Sequence, residues 1–198
     1  EVVTNDRPRI DYTDTSDGVL LLEKAATNLI EYSESFSNAS WVKNNITITS
    51  NNTISPDGSL NADKYFGVTT AQDLNVAINI TGTFTYSVFV KYINSKYIRL
   101  RVDSTSTWFD IENEIIATNQ FNDASIESFD NGWYRLSVTN TTAGTFNNFY
   151  IHPHSTDNTT SEQNEGEFYI WGAQLESDYK TSYIPTQGSA STRVAETA

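Results

Sequence analysis

Two arginines alternate with apolar residues in the segment Tyr97-Ile98-Arg99-Leu100-Arg101-Val102. Successive side chains of an extended strand point to opposite faces. If Ile98, Leu100 and Val102 turn into a core, Tyr97, Arg99 and Arg101 share the other face. A guanidinium fork matches a carboxylate or sulfate with paired donors. A tyrosine adds a flat apolar ring with a polar tip. Together these groups suit a ligand that presents C–H faces rimmed by hydroxyls or anionic groups.

Three further segments carry compatible residues. Trp108 and Asp110 fall on one face and Phe109 and Ile111 on the other, so a core Phe109 makes Trp108 a candidate platform. In Trp133 to Val138, Trp133, Arg135 and Ser137 oppose Tyr134, Leu136 and Val138. With Phe149 and Ile151 in the core, Tyr150, His152 and His154 face outward. If these strands share one sheet, Tyr97, Arg99, Arg101, Trp108, Arg135, Tyr150, His152 and His154 form an aromatic and basic ligand-binding patch. The plainer alternative is that outward Arg and Tyr make cross-strand pairs and cover neighbouring apolar surface. His152 and His154 are the only histidines, and their spacing ligates a transition metal only if a third ligand comes from elsewhere. No catalytic residue is assigned.

The elements that must hold this patch are strands. Thr, Asn, Ser, Tyr, Phe, Val and Ile dominate, and apolar residues at helical spacing are missing. Alternation is clearest over Asp73 to Thr81, where Leu74, Val76, Ile78 and Ile80 share a face. Further strands are predicted over Val19 to Glu23, Ile46 to Thr49, Ala62 to Phe66, Thr83 to Ile93, Tyr97 to Val102, Thr107 to Ile111, Trp133 to Thr139, Asn147 to His152 and Glu167 to Leu175. Turn signals separate them, among them Ser55-Pro56-Asp57-Gly58, Asn94-Ser95-Lys96 and Asp130-Asn131-Gly132. The expected fold is all-β: a two-sheet antiparallel β-sandwich formed by one domain over residues 1–198. Residues 1–17 read as a linker or edge strand, residues 187–198 as a tail leaving the domain, and Ser155 to Gly166 as a mobile loop.

Bulk composition narrows the function. Twelve basic against 25 acidic residues give a net charge of -13, which repels polyanions and argues against nucleic acid. An anionic polysaccharide is compatible only where Arg and Lys gather locally. The absence of cysteine excludes disulfides, thiol catalysis and cysteine-ligated zinc. No apolar run approaches the roughly 18 residues a membrane span needs, so no membrane partner is expected. The opening Glu1-Val2-Val3-Thr4 does not read as a leader, although the chain can be a piece of a longer secreted or virion-borne polypeptide.

Three separated motifs resemble a known family. They are Asn28-Leu29-Ile30-Glu31-Tyr32-Ser33-Glu34-Ser35-Phe36-Ser37-Asn38-Ala39-Ser40-Trp41; the turn Ser55-Pro56-Asp57-Gly58 followed by Ala62-Asp63-Lys64; and Tyr169-Ile170-Trp171-Gly172-Ala173-Gln174-Leu175-Glu176 followed by Thr181-Ser182-Tyr183-Ile184-Pro185-Thr186. In this order they look like the carbohydrate-binding-like modules of phage tail fibres and bacterial polysaccharide-degrading enzymes. The resemblance implies a jelly roll of the galactose-binding-like or concanavalin-like kind and glycan binding without catalysis. It implies a polysaccharide or oligosaccharide partner, catalytic or structural domains on the same polypeptide, and an extracellular location or the virion surface. No cofactor is required; a structural calcium is compatible, with Glu34, Asp57, Asp63 and Glu176 in or beside the motifs. Trp41 and Trp171 read as core residues.

Two other functions use the same fold. A structural or receptor-binding part of a phage tail fibre predicts oligomerisation. A jelly-roll polysaccharide lyase would use Tyr and His as acid and base, with Arg neutralising the substrate carboxylate. Tyr97, Arg99, Arg101, Tyr150 and His152 supply those residue types, but the Gln-Ile-His triplet associated with jelly-roll lyases is missing.

Overall fold

A computed structural model describes residues 9–11, 19–68, 71–159 and 165–196. Its strands, in chain order, are β1 (Arg9–Asp11), β2 (Val19–Leu21), β3 (Ala26–Asn28), β4 (Val42–Asn44), β5 (Ile46–Thr53), β6 (Ala62–Gly67), β7 (Asp73–Thr81) and β8 (Phe84–Tyr92). They continue with β9 (Tyr97–Val102), β10 (Thr105–Asp110), β11 (Ile115–Asn119), β12 (Asp123–Phe129), β13 (Trp133–Asn140), β14 (Thr145–His154), β15 (Glu167–Ser177) and β16 (Ser191–Arg193). Two six-stranded antiparallel sheets face each other, ordered β11-β10-β9-β14-β7-β4 and β12-β13-β8-β15-β6-β5. Two-stranded pairs β1-β2 and β3-β16 and an isolated bridge between Tyr32 and Gln187 complete the described pairing. The fold is a β-sandwich, as the alternation predicts. Among the described residues no helix is long and apolar enough to cross a membrane.

The inner faces come from the alternation. Leu74, Val76, Ile98, Leu100, Phe109, Phe149 and Ile151 of the first sheet meet Phe84, Tyr86, Val88, Val90, Leu136, Val138, Phe168 and Ile170 of the second in one buried cluster. The β15 strand changes parity partway. A bulge between Trp171 and Gln174 turns Ala173 and Leu175 inward after Phe168 and Ile170. Gly172 makes it possible: its φ is +60°, and a Cβ there would stand 2.9 Å from the Phe89 ring. Trp171, outward by the alternation that precedes the bulge, lies in a second buried cluster with Ala62, Phe89 and Trp133, on the outer side of the second sheet.

The family-like motifs are structural ties. Asn28 donates from Nδ2 to the carbonyls of Ala173 and Ile184, at 3.1 and 2.9 Å, and its Oδ1 accepts the N–H groups of Ile30 and Leu175. All of these bonds are buried, so Asn28 carries no cost of an unmet polar group. Trp41 is buried against Phe36 and donates from Nε1 to the Tyr32 carbonyl at 2.9 Å.

The C-terminal segment differs from the expectation of a departing tail. Ser191–Arg193 pairs with Ala26–Asn28, and Arg193 is buried in an ion pair with Glu23 at 2.9 Å. Of the loop expected to be mobile, residues 160–164 lie outside the described residues, while Asp157 accepts the N–H and hydroxyl of Thr118. The segment 1–17, expected as a linker or edge strand, is described only at Arg9–Asp11, which pairs with Val19–Leu21.

Candidate ligand-binding face

The register places the candidate residues in three cross-strand rows on the outer face of the first sheet. Tyr150 lies opposite Arg101, and Arg101 opposite Ser106. His152 lies opposite Arg99, and Arg99 opposite Trp108. His154 lies opposite Tyr97, and Tyr97 opposite Asp110. With strands about 4.8 Å apart and same-face residues about 6.8 Å apart, this grid spans roughly 10 by 14 Å.

The side chains stack on one another. The Arg101 guanidinium lies 3.7 Å from the centre of the Tyr150 ring, and that of Arg99 lies 4.9 Å from the Trp108 ring. Tyr150 and His152 are near parallel at 5.6 Å, and His154 meets Trp108 edge-on at 6.0 Å. Arg99 Nε donates to Ser106 Oγ at 2.9 Å, and His152 Nδ1 lies 3.1 Å from the Gln72 carbonyl. At the far edge Lys96 pairs with Asp110 at 3.3 Å and sits over the Tyr97 ring. Burial, followed by the charge of Arg101, holds His152 well below the usual histidine value. Burial and then Arg99 and Arg101 lower His154 to about 4. Both imidazoles are therefore neutral at pH 7.

Two features depart from the sequence-based expectation. Arg135 does not belong to this face: β13 lies in the other sheet, beside β8 and β12. There it is buried, donating from Nη1 to the Thr181 carbonyl at 2.7 Å and from Nη2 to Ser87 Oγ at 3.0 Å, with its guanidinium over Phe89. Burial lowers its value, an effect that the charges of Glu176, Glu127 and Glu23 oppose only in part. Parity correctly turns Arg135 away from the core, but onto the outside of the opposite sheet.

The second departure concerns exposure. Trp108, Arg99, His152 and His154 lie on the expected face but are only 3, 7, 2 and 0% exposed. Trp108 is thus not an open platform. Part of this burial is mutual, because long side chains lie flat across their neighbours. Tyr97, Arg101 and Tyr150 keep partial exposure. Ser106, which supports Arg99, was missed because β10 begins two residues before the predicted strand; its position two residues before Trp108 is the signal that marks its face.

The carboxylates considered for calcium do not converge. Glu34 and Asp57 both accept from Asn61 Nδ2, whereas Asp63 accepts the N–H groups of Phe36 and Asn51, and Glu176 accepts the N–H and the hydroxyl of Thr181. Among the described residues no group of three or more His, Cys, Asp or Glu is arranged to hold a metal. A separate crevice of about 390 Å3 has a mixed polar and apolar lining that includes Leu29, Glu31, Tyr32, Ser40, Trp41 and Val76.

No protein-family model matches the sequence, and no curated protein matches it. Solved structures do resemble its fold. The enzymatically active domain of tailspike protein 4 from bacteriophage CBA120 is 12% identical, with a TM-score of 0.43 over 75% of this chain and 21% of that one. The CBM22-1 and GH10 modules of Clostridium thermocellum endo-1,4-β-D-xylanase 10B, solved with xylohexaose, are 13% identical, with a TM-score of 0.43 over 75% of this chain and 27% of that one. The CBM22-1 xylan-binding domain of Paenibacillus barcinonensis Xyn10C is 10% identical, with a TM-score of 0.44 over 80% of this chain and 99% of that one.

Proposed function

We propose that this chain is a non-catalytic carbohydrate-binding module, working as part of a larger extracellular polypeptide, whose ligand docks on the outer face of β9, β10 and β14. The observation that carries the reading is the stacked Arg101–Tyr150 pair, partly open to solvent, above a buried layer of polar aromatic groups. Trp108 Nε1 and both ring nitrogens of His154 are buried without a hydrogen-bond partner among the described residues. Such groups cost free energy unless a ligand or solvent meets them. Directional donors beside a flat ring are what a sugar needs: hydroxyls to the donors, C–H groups to the ring.

Non-catalysis rests on the same face. A glycosidase needs two carboxyl groups flanking the scissile bond. In the three rows Asp110 is the one carboxylate, and it is engaged by Lys96 and by both the backbone and side chain of Asn113. Affinity electrophoresis against plant, algal and bacterial glycans tests the proposal. Retarded migration with at least one glycan, weakened about tenfold in Tyr150→Ala, is expected from losing one aromatic contact. Unchanged migration with every glycan refutes the binding reading, and absorbance from unsaturated sugar ends would refute non-catalysis.

A further inference from the structure

Among the arginines whose side chains are described, Arg101 is the exception: Arg99, Arg135 and Arg193 each hold a hydrogen-bond or ion-pair partner. The chain carries 25 acidic residues, yet Arg101 makes no ion pair or hydrogen bond with any described residue, and its Nε is buried without a partner. Among the described residues its guanidinium packs on the face of Tyr150. Stacking uses the flat side of a guanidinium, whereas its hydrogen bonds leave from the edge in the plane of the group. The contact with Tyr150 therefore fixes the orientation of the fork while leaving its donors unspent.

The surroundings select the sign of the missing partner. The strand neighbours of Arg101 are Tyr150 and Ser106, with Arg99 two residues along the same face. The imidazoles of His152 and His154 are neutral, so nothing in the three rows offsets Arg101 except Asp110, which Lys96 engages. A partly buried guanidinium left without a counter-charge is costly, and an anion held on a paired N–H edge removes that cost.

We propose, resting on the glycan-binding reading above, that the glycan is anionic, and that Arg101 receives its carboxylate or sulfate ester while Tyr150 holds the guanidinium in place. The shared chemistry is a planar or tetrahedral oxyanion on a sugar ring. Global repulsion does not forbid it, because charges beyond about 8 Å are largely screened at physiological salt.

The test is titration calorimetry of the full chain with four probes: a polyuronate, the same polymer after carboxyl reduction, a sulfated galactan, and neutral xylan. At least one charged polymer should bind about tenfold or more tightly than its uncharged counterpart, the worth of one charge-assisted contact. Arg101→Gln should abolish that preference and Arg101→Lys should retain part of it, with thermal melting of each variant confirming the fold. Preference for the polyuronate identifies a carboxylate, and for the galactan a sulfate; either supports the proposal. Binding of neutral and charged polymers alike, unchanged in Arg101→Gln, overturns the anionic assignment and leaves glycan binding standing. Binding to none of the four overturns the anionic assignment, while the glycan-binding reading stands or falls separately on the wider glycan panel.

Discussion

His154 is wholly buried and His152 nearly so, and both are neutral because burial and the adjacent arginines oppose a third and fourth positive charge. This couples folding to pH with a definite sign. An unfolded histidine titrates near 6.5 and the folded His154 near 4. Between those values the unfolded chain binds a proton that the native chain does not, so stability is fully present above about pH 6.5 and falls as pH drops, by about 1.4 kcal/mol per pH unit for each such histidine. Glu34 and Asp63, raised chiefly by burial, have the opposite effect: their native forms hold protons longer, so their contribution weakens as pH rises. The histidine contribution must therefore be read by difference. Urea unfolding of the native chain and of His154→Gln between pH 4.5 and 7 should give curves that diverge by about one proton's worth of slope. Parallel curves would show that His154 is not held neutral by its site.

At the scale of elements, the face depends on two strands being pinned to a third. The β9–β10 turn places Asp103 at a φ of 49°, and its carboxylate accepts the N–H groups of Asn147 and Asn148 at 3.2 and 3.1 Å, while its own N–H donates to the Asn148 carbonyl at 3.0 Å. One residue thus sets the turn and joins it to β14, fixing the register that brings Arg101 beside Tyr150. Asp103→Ala removes the acceptors and leaves an ill-suited residue in the left-handed region, for an expected loss of about 2 kcal/mol in urea unfolding. Asp103→Asn, which tolerates that region and keeps one acceptor, should lose less; equal stability of all three proteins would sink the argument. Much of this element was legible beforehand. The bounds of β7 and β9 and the inward turn of Ile98, Leu100, Phe149 and Ile151 follow from apolar alternation, because one buried face leaves a period of two. Sheet membership does not: nothing local in Trp133 to Val138 says whether it pairs with β9 or with β8, and Arg135 was misplaced for that reason. The edge strands β11 and β12 were missed because they bury little and so show no clean alternation. The burial of Trp108 was illegible because it depends on side chains from neighbouring strands lying over one another.

Across the whole molecule, the two outer faces have different fates. The outer face of the second sheet is covered by the C-terminal segment: Tyr183 packs on Trp171 and Phe89, Thr181 takes a bond from Arg135, and Arg193 pairs with Glu23. Deleting residues 187–198 strips Arg193 from a largely buried carboxylate and should cost about 3 kcal/mol or more, seen as a lower urea midpoint; an unchanged midpoint would show that β16 adds nothing. The outer face of the first sheet instead keeps Arg101 and Tyr150 within reach of solvent. This local positive charge sits in a protein of net charge -13, and the two act over different ranges. Lowering ionic strength from 0.15 to 0.01 M lengthens the screening distance from about 8 to about 30 Å. The distant carboxylates then repel an approaching anionic oligosaccharide, whereas the Arg101 contact, made within hydrogen-bond distance, is affected far less. The association rate with an oligouronate should therefore rise as salt is added over this range, while the dissociation rate changes little. A basic patch on a protein of little net charge shows the reverse, and association that slows steadily with added salt in surface-binding kinetics would mean that the field at the site is positive well beyond the Arg101–Tyr150 pair.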